Sequence, residues 1–252
     1  MILFLIALAA FVAGALNAAA GGGTFLTFPL LTGVARLTEK AANVTSTVGL
    51  WPGTVSSIVA AWAELRAIAG RVLAGYAAVG FVGGALGAVL LLTTSPSAFA
   101  KAIPWLLGFA TIVFACGRRV AIWAGRGDGP SIPRFTPRVL PLLLVIALYN
   151  GYFGAGGGIL LMAGLSLAGL HDLRQINALK VVIQTTSNAS AVVAFIAAGV
   201  DWRIASVMAA ASFAGGYAGM HAARRVPQTF VRALVLFMGM TLTVAYFVKN
   251  YR

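Results

Sequence analysis

The sequence predicts an all-α polytopic membrane protein made of two homologous halves. Each half is expected to hold a glycine-broken or re-entrant segment plus three full helices. Three observations carry this expectation. First, the 252 residues are 60% hydrophobic and 9% charged, where soluble domains carry roughly 25% charged residues, and mean hydropathy is +0.95. Second, the apolar residues fall into runs suited to membrane spans, which take roughly 20 helical residues each. Third, the two halves repeat the same motifs in the same order.

The repeat is read from three stretches. Ala20 and Gly21–Gly23 pair with Ala155 and Gly156–Gly158. Phe81–Gly87 and Phe213–Gly219 share an FxGGxxG pattern. Pro96, Phe99, Lys101, Ala102 and Gly108 pair with Pro227, Phe230, Arg232, Ala233 and Gly239. Basic residues gather at Glu64–Arg71 in the first half but at Arg224–Arg232 in the second, so corresponding loops face opposite sides. That reversal is the mark of an inverted repeat. Inversion needs an odd number of membrane segments per half, with both termini facing outward. The competing reading makes each broken segment one spanning helix, giving eight spans and parallel repeats.

In order, residues 2–18 form a first apolar helix ending near Asn17. They superficially resemble a signal peptide, but they lack a basic start and read as a retained membrane segment. The Gly21–Gly23 break follows, and Thr24–Val34 covers only about half a bilayer at roughly 1.5 Å per residue. Arg36, Glu39 and Lys40 mark an interface. A helix from Thr38 to Trp62 is expected to be kinked or broken at Gly49–Gly53, where Pro52 removes a backbone donor. Further helices run to Leu92 and from Ala98 to Val120. Residues 117–138 are rich in Gly, Pro and Arg and read as a cytoplasmic linker. The domain division is therefore 1–122, a linker at 123–137, and 138–252. The second half repeats the plan: a helix at 138–153, the Gly156–Gly158 break, Ile159–Leu170, an interface at His171, Asp172 and Arg174, and helices at 173–199, up to 223, and up to Val248.

Composition also bounds function. The net charge of +13 comes from 18 Lys+Arg against 5 Asp+Glu. On a soluble domain this would suggest nucleic acid. Here the charges lie between apolar runs, so the expected partners are the lipid bilayer and a small anion, with no nucleic acid. A homodimer is compatible with the sequence. Cys116 is the single cysteine, which excludes an intrachain disulfide and a Cys-rich metal site; it reads as a small buried hydrophobe. Neither a metal nor a cofactor is expected.

The candidate site follows from the breaks. Three glycines in a row make a poor helix, at roughly 1 kcal/mol each against alanine. Unwound backbone at membrane depth is tolerated where it lines a polar cavity. Half-helix N-termini offer unpaired N–H groups and partial positive charge, and glycine leaves them open to an anion. The candidate substrate-binding residues are therefore Gly21, Gly22, Gly23, Gly156, Gly157 and Gly158. With them go Asn17 and Asn150 just before the breaks, and Asn43 and Lys180, which align between the halves. Gln184, Thr185 and Asn188 could donate to an oxyanion, or bond between helices instead. An intramembrane lysine is a functional candidate by default, although Lys180 could also snorkel or pair with Asp172. The FxGGxxG copies read as close-packing faces.

The glycine triplets with Pro29 and Leu30, the FxGGxxG copies and Gly199–Arg203 make the chain resemble the sulfite exporter TauE/SafE family, within the toluene sulfonate uptake permease superfamily. The resemblance covers nearly the whole chain. It implies a carrier in the bacterial inner membrane that exports small sulfur-containing anions such as sulfite, sulfoacetate or other organosulfonates. Met162 and Ala163 stand where the first half has Phe28 and Pro29, so the half-sites differ. Two other classes remain on the sequence. One is a carrier of a different organic anion. The other is an intramembrane hydrolase using Ser166 and His221, though no third partner is evident, and the chain reads as a non-enzyme. A non-transporting scaffold lacks any sensory domain to support it.

Overall fold

The computed structural model describes residues 1–19, 21–124, 139–170, 172–222 and 228–251. Those residues form eleven helices and no strand. Before the central connection come α1 (Ile2–Ala19), α2 (Thr24–Gly33), α3 (Glu39–Ala60), α4 (Trp62–Leu65), α5 (Gly70–Thr93) and α6 (Pro96–Ala124). After it come α7 (Leu140–Tyr152), α8 (Gly157–Leu167), α9 (Leu173–Phe195), α10 (Trp202–Ala222) and α11 (Gln228–Tyr251). Helix starts carry side-chain caps where the sequence offers them. Asp172 accepts from the Arg174 N–H at 2.9 Å, and Asp201 from the Ile204 N–H at 3.0 Å, which satisfies amides that a first turn leaves open.

The polarity is that of a protein whose outer solvent is lipid. Exposed positions include Phe81, Val89, Trp105, Ile112, Val145, Val193, Phe237 and Val244. Buried positions include Asn17, Asn43, Ser46, Asn150, Lys180, Gln184, Ser187 and Asn188. Ile2–Ala19, Gly70–Thr93 and Pro96–Val113 are each long and apolar enough to cross a membrane. α3 and α9, with 22 and 23 residues, are long enough but hold most of the buried polar side chains. They meet at the centre of the bundle.

The helices pair crosswise between the halves. α10 lies between α1 and α3, and α5 lies between α7 and α9. α2 packs on α1, α3 and α11; α8 packs on α7, α9 and α6; α6 and α11 pair with each other. The FxGGxxG faces make these approaches possible. A Cβ at Gly83, Gly84 or Gly87 would collide with α7 or α9, and one at Gly215, Gly216 or Gly219 with α1 or α3. Close approach of small residues is the usual basis of membrane helix association, where lipid offers no hydrophobic driving force.

Four sequence expectations change. α3 is helical straight through Pro52. Proline cannot donate to the carbonyl four residues back, but Gly49 and Gly53 let α10 come close, and the Ser212 hydroxyl donates to the Gly49 carbonyl at 2.7 Å. α6 continues to Ala124, so the start of the expected linker is helical. Residues 125–138 lie outside the described residues, as do His171, Arg224 and Arg225. Cys116 is exposed, not buried, because an apolar thiol is at home on a lipid-facing surface. Finally, the alignment of Asn43 with Lys180 slips by one helical turn. Gly216 seats against Gly53 as Gly84 seats against Ser187, and Ser212 meets Gly49 as Gly80 meets Ile183. Both pairs of seats lie 134 positions apart, which puts Ser46 in the place of Lys180.

Candidate functional site

The two chain breaks meet at the centre. α1 closes with Gly21 at φ +87°, its N–H donating to the Leu16 carbonyl at 2.9 Å. α7 closes in the same way on Gly154 at φ +76°, with an N–H···O distance of 3.4 Å to Tyr149. This left-handed turn is a common helix ending and favours glycine. Gly23 then caps α2, and Gly156, at φ +75°, caps α8. The structural counterpart of Gly21–Gly23 is therefore Gly154–Gly156, two residues earlier than the matched triplets suggest. Gly157 and Gly158 already belong to the first turn of α8.

These two extra glycines make the crossing. Gly158 backs directly onto Gly21, and a Cβ on either would strike the other's backbone. A Cβ at Gly158 would also lie 3.0 Å from Gln184 Oε1 and 3.2 Å from Lys180 Cδ. Gly157 seats against the Asn150 side chain. Gly156 faces Phe25 and Ala110, an apolar wall, and so lies off the polar cluster.

Lys180 is completely buried, with 0% of its surface exposed. It neither snorkels nor pairs with Asp172, which caps its own helix. Instead Nζ crosses to the other half and donates to the carbonyls of Asn17 (2.8 Å) and Ala18 (3.2 Å) at the end of α1. Those carbonyls have no intrahelical donor and carry the negative end of the helix dipole. An ammonium has three donors, so one N–H remains.

One turn further along α9, Gln184 is 3% exposed, and its amide makes no hydrogen bond among the described residues. The Thr185 hydroxyl is also buried without a partner, while its carbonyl accepts from Trp51 Nε1 at 3.2 Å. Buried polar groups are nearly always paired. The Gln184 amide stands beside Lys180 and the N-terminus of α8, its Oε1 turned toward Gly158. Asn150 donates to Ser187 Oγ (3.2 Å) and Asn188 Oδ1 (3.0 Å), and its own Oδ1 has no partner. Asn17 differs, because its Oδ1 accepts the Gly23 N–H at 2.8 Å. Asn43 reaches the Tyr152 carbonyl at the end of α7 at 3.0 Å and leaves its Oδ1 unpaired.

A model of the family described as "Sulfite exporter TauE/SafE" matches residues 6–246. The chain belongs to the TauE/SafE family. A "Probable membrane transporter protein" of Haemophilus influenzae is 28% identical over 239 residues, covering 92% of this chain and 89% of that protein. A "Probable membrane transporter protein ORF9" of Sinorhizobium sp. is 30% identical over 244 residues, covering 94% and 88%. No solved structure matches. The chain is a membrane transporter of the TauE/SafE family, and the buried polar cluster lies where its two glycine breaks cross.

Of the residues expected from sequence, the structure gathers Asn17, Gly21, Gly158, Lys180 and Gln184 at the crossing. It sets Asn150, Gly157 and Asn188 together beside it, and Asn43 at the end of α7. Ser187 and Trp51 were missed. Ser187 stood inside the polar string of α9, but only its hydrogen bonds to Asn150 and the Ala147 carbonyl single it out. Trp51 was hidden beside Pro52. Ser166 donates to the Met162 carbonyl and His221 Nδ1 bonds the Tyr217 carbonyl, so each is occupied within its own helix. The open cleft of about 250 Å³ lined by Pro29, Thr32, Tyr246 and Lys249 lies at the far end of α2 from the crossing.

Proposed function

We propose that this TauE/SafE transporter exports a small sulfur-containing oxyanion, such as sulfite, sulfoacetate or another organosulfonate, across the bacterial inner membrane. The anion binds between two inverted repeats at the Gly21–Gly158 crossing. The observation that carries this reading is the convergence of Lys180 and Gln184 on Gly158 in the first turn of α8. The third N–H of Lys180, the Gln184 amide and the Gly158 N–H form one donor set, since the Gly157 and Ile159 N–H groups donate to the Gly154 and Gly156 carbonyls. Several convergent donors plus one positive charge suit a tetrahedral oxyanion better than a neutral solute. The unpaired Asn150 and Thr185 oxygens suit water or a hydroxyl on the substrate.

The crosswise helix pairing supports inverted repeats, since each half supplies the groups that end the other half's broken helix: Lys180 for α1 and Asn43 for α7. In such transporters, rocking of one repeat against the other exposes a fixed site alternately to the two sides. The family resemblance supports a sulfur anion; a carrier of another small organic anion would use the same donors. Thermal unfolding of the purified protein with sulfite, sulfate, thiosulfate, sulfoacetate and taurine separates them. A true ligand at 100 times its Kd should stabilise by about 2.7 kcal/mol. Stabilisation by none of the sulfur anions, but by a plain carboxylate, would transfer the assignment to organic acids.

A further inference from the structure

The hydrogen bonds of Lys180 suggest what happens when the site is empty. Nζ has two acceptors among the described residues, the Asn17 and Ala18 carbonyls. A neutral amine has two N–H groups, so it can keep both bonds. The third proton, present only in the ammonium, has no acceptor among the described residues.

Among the described residues no countercharge is at hand. α1, α7 and α8 hold no Asp, Glu, Lys, Arg or His, and Lys180 and Arg174 are the only such residues of α9. Tyr149 and Tyr152 of α7 are turned to the Ala155 and Leu106 carbonyls and to Thr94. On α3, Glu39 pairs with Lys249 at 2.6 Å, and Lys40 donates to the Leu92 and Thr94 carbonyls. Arg71 and Tyr76 sit in the first two turns of α5, and Glu64 sits on α4. Lys40 closes the end of α5 much as Lys180 closes α1, but it is only partly buried, so water can serve its remaining proton. A fully buried ammonium with two carbonyls and no anion is a costly state.

We propose that Lys180 takes up one proton with each anion it binds and gives it back when the anion leaves, so that transport is a proton–anion symport. This rests on the anion-binding reading of the crossing. The cycle balances: the water-exposed amine gains a proton, the ammonium and anion cross together, and both are released on the far side. The empty carrier then resets with a neutral amine still bonded to α1. A dianion such as sulfoacetate crosses with one net negative charge, so an inside-negative potential still drives it outward.

The test uses the full chain in liposomes with labelled sulfoacetate, sulfite and thiosulfate, potential clamped at zero, and a gradient of about one pH unit. One proton per anion predicts accumulation of about tenfold on the alkaline side, absent from protein-free liposomes. Equilibration without accumulation overturns the symport and leaves the anion reading intact. Protein that moves none of the three anions overturns both. Lys180→Arg keeps the charge but cannot release its proton, so it should equilibrate the anion without accumulating it; accumulation by Lys180→Arg removes lysine from the coupling. Should that variant not fold, calorimetry of wild-type protein in two buffers of different ionisation enthalpy decides the matter. About one proton taken up per anion bound at alkaline pH is expected, and none across the whole pH range would overturn the proposal.

Discussion

The two breaks share a backbone plan and differ in how their asparagines are spent. At the α1–α2 break, Asn17 turns inward and its Oδ1 holds the Gly23 N–H, so the loop is tied to itself. Lys180 finishes the α1 carbonyls from outside. At the α7–α8 break, Asn150 turns outward to α9, and its Oδ1 is unpaired against Gly157. The first break is a closed structural knot. The second, with two extra glycines in the first turn of α8, is open and polar. Sequence-equivalent motifs thus differ in use: one break is tied to itself and the other leaves polar groups unpaired.

The strongest way to break this comparison is at the contact itself. Gly21→Ala places a Cβ at a positive φ and into the Gly158 backbone, which should cost on the order of 3–5 kcal/mol and abolish a monodisperse size-exclusion peak. A variant with wild-type melting and flux would show that the crossing is not tight. Next, Lys180→Ala removes the donor to α1 and the charge at the site. Flux in proteoliposomes should fall at least about a hundredfold, with a stability loss of about 1–3 kcal/mol. Normal flux by the folded variant would remove Lys180 from transport.

Gln184→Leu separates site from scaffold. Replacing a buried unpaired amide by an apolar group of similar size is close to neutral or stabilising. The melting temperature should hold or rise while apparent anion affinity falls about tenfold, the worth of one charge-linked hydrogen bond. A large drop in melting temperature with unchanged affinity would make Gln184 structural. A smaller contrast lies between the asparagines. Asn17→Ala should cost about 1 kcal/mol of stability, whereas Asn150→Ala should change apparent affinity more than melting; equal behaviour would make the two breaks alike. The smallest effect is expected at the exposed Lys249–Glu39 pair, where Glu39→Gln should cost under about 1 kcal/mol and less at high salt.

Much of the site was legible because its parts are chemically conspicuous. A lysine, four asparagines and glycine triplets stand out in an apolar chain, and each is expensive enough in a membrane to demand a reason. Their register was not legible. Identity matching aligned one triplet with the other, but a helix ends where its turn closes, at Gly21 and Gly154. The same limit misplaced Asn43 one turn from the true counterpart of Lys180. The sequence shows the N–H that Pro52 lacks but not the close packing of α10 on Gly49 and Gly53 that holds α3 together there.

By itself the sequence determined a membrane-embedded helical protein, the duplicated glycine-rich faces and the list of intramembrane polar residues. These follow from composition and short-range spacing, which solvent transfer and helix geometry make binding. Only the tertiary structure decided that Lys180 ends the other half's helix, that Gly21 meets Gly158, and that Gln184 turns to the same crossing. Those facts depend on which helices lie side by side, and hydrogen bonds between residues 163 positions apart leave no trace in local sequence.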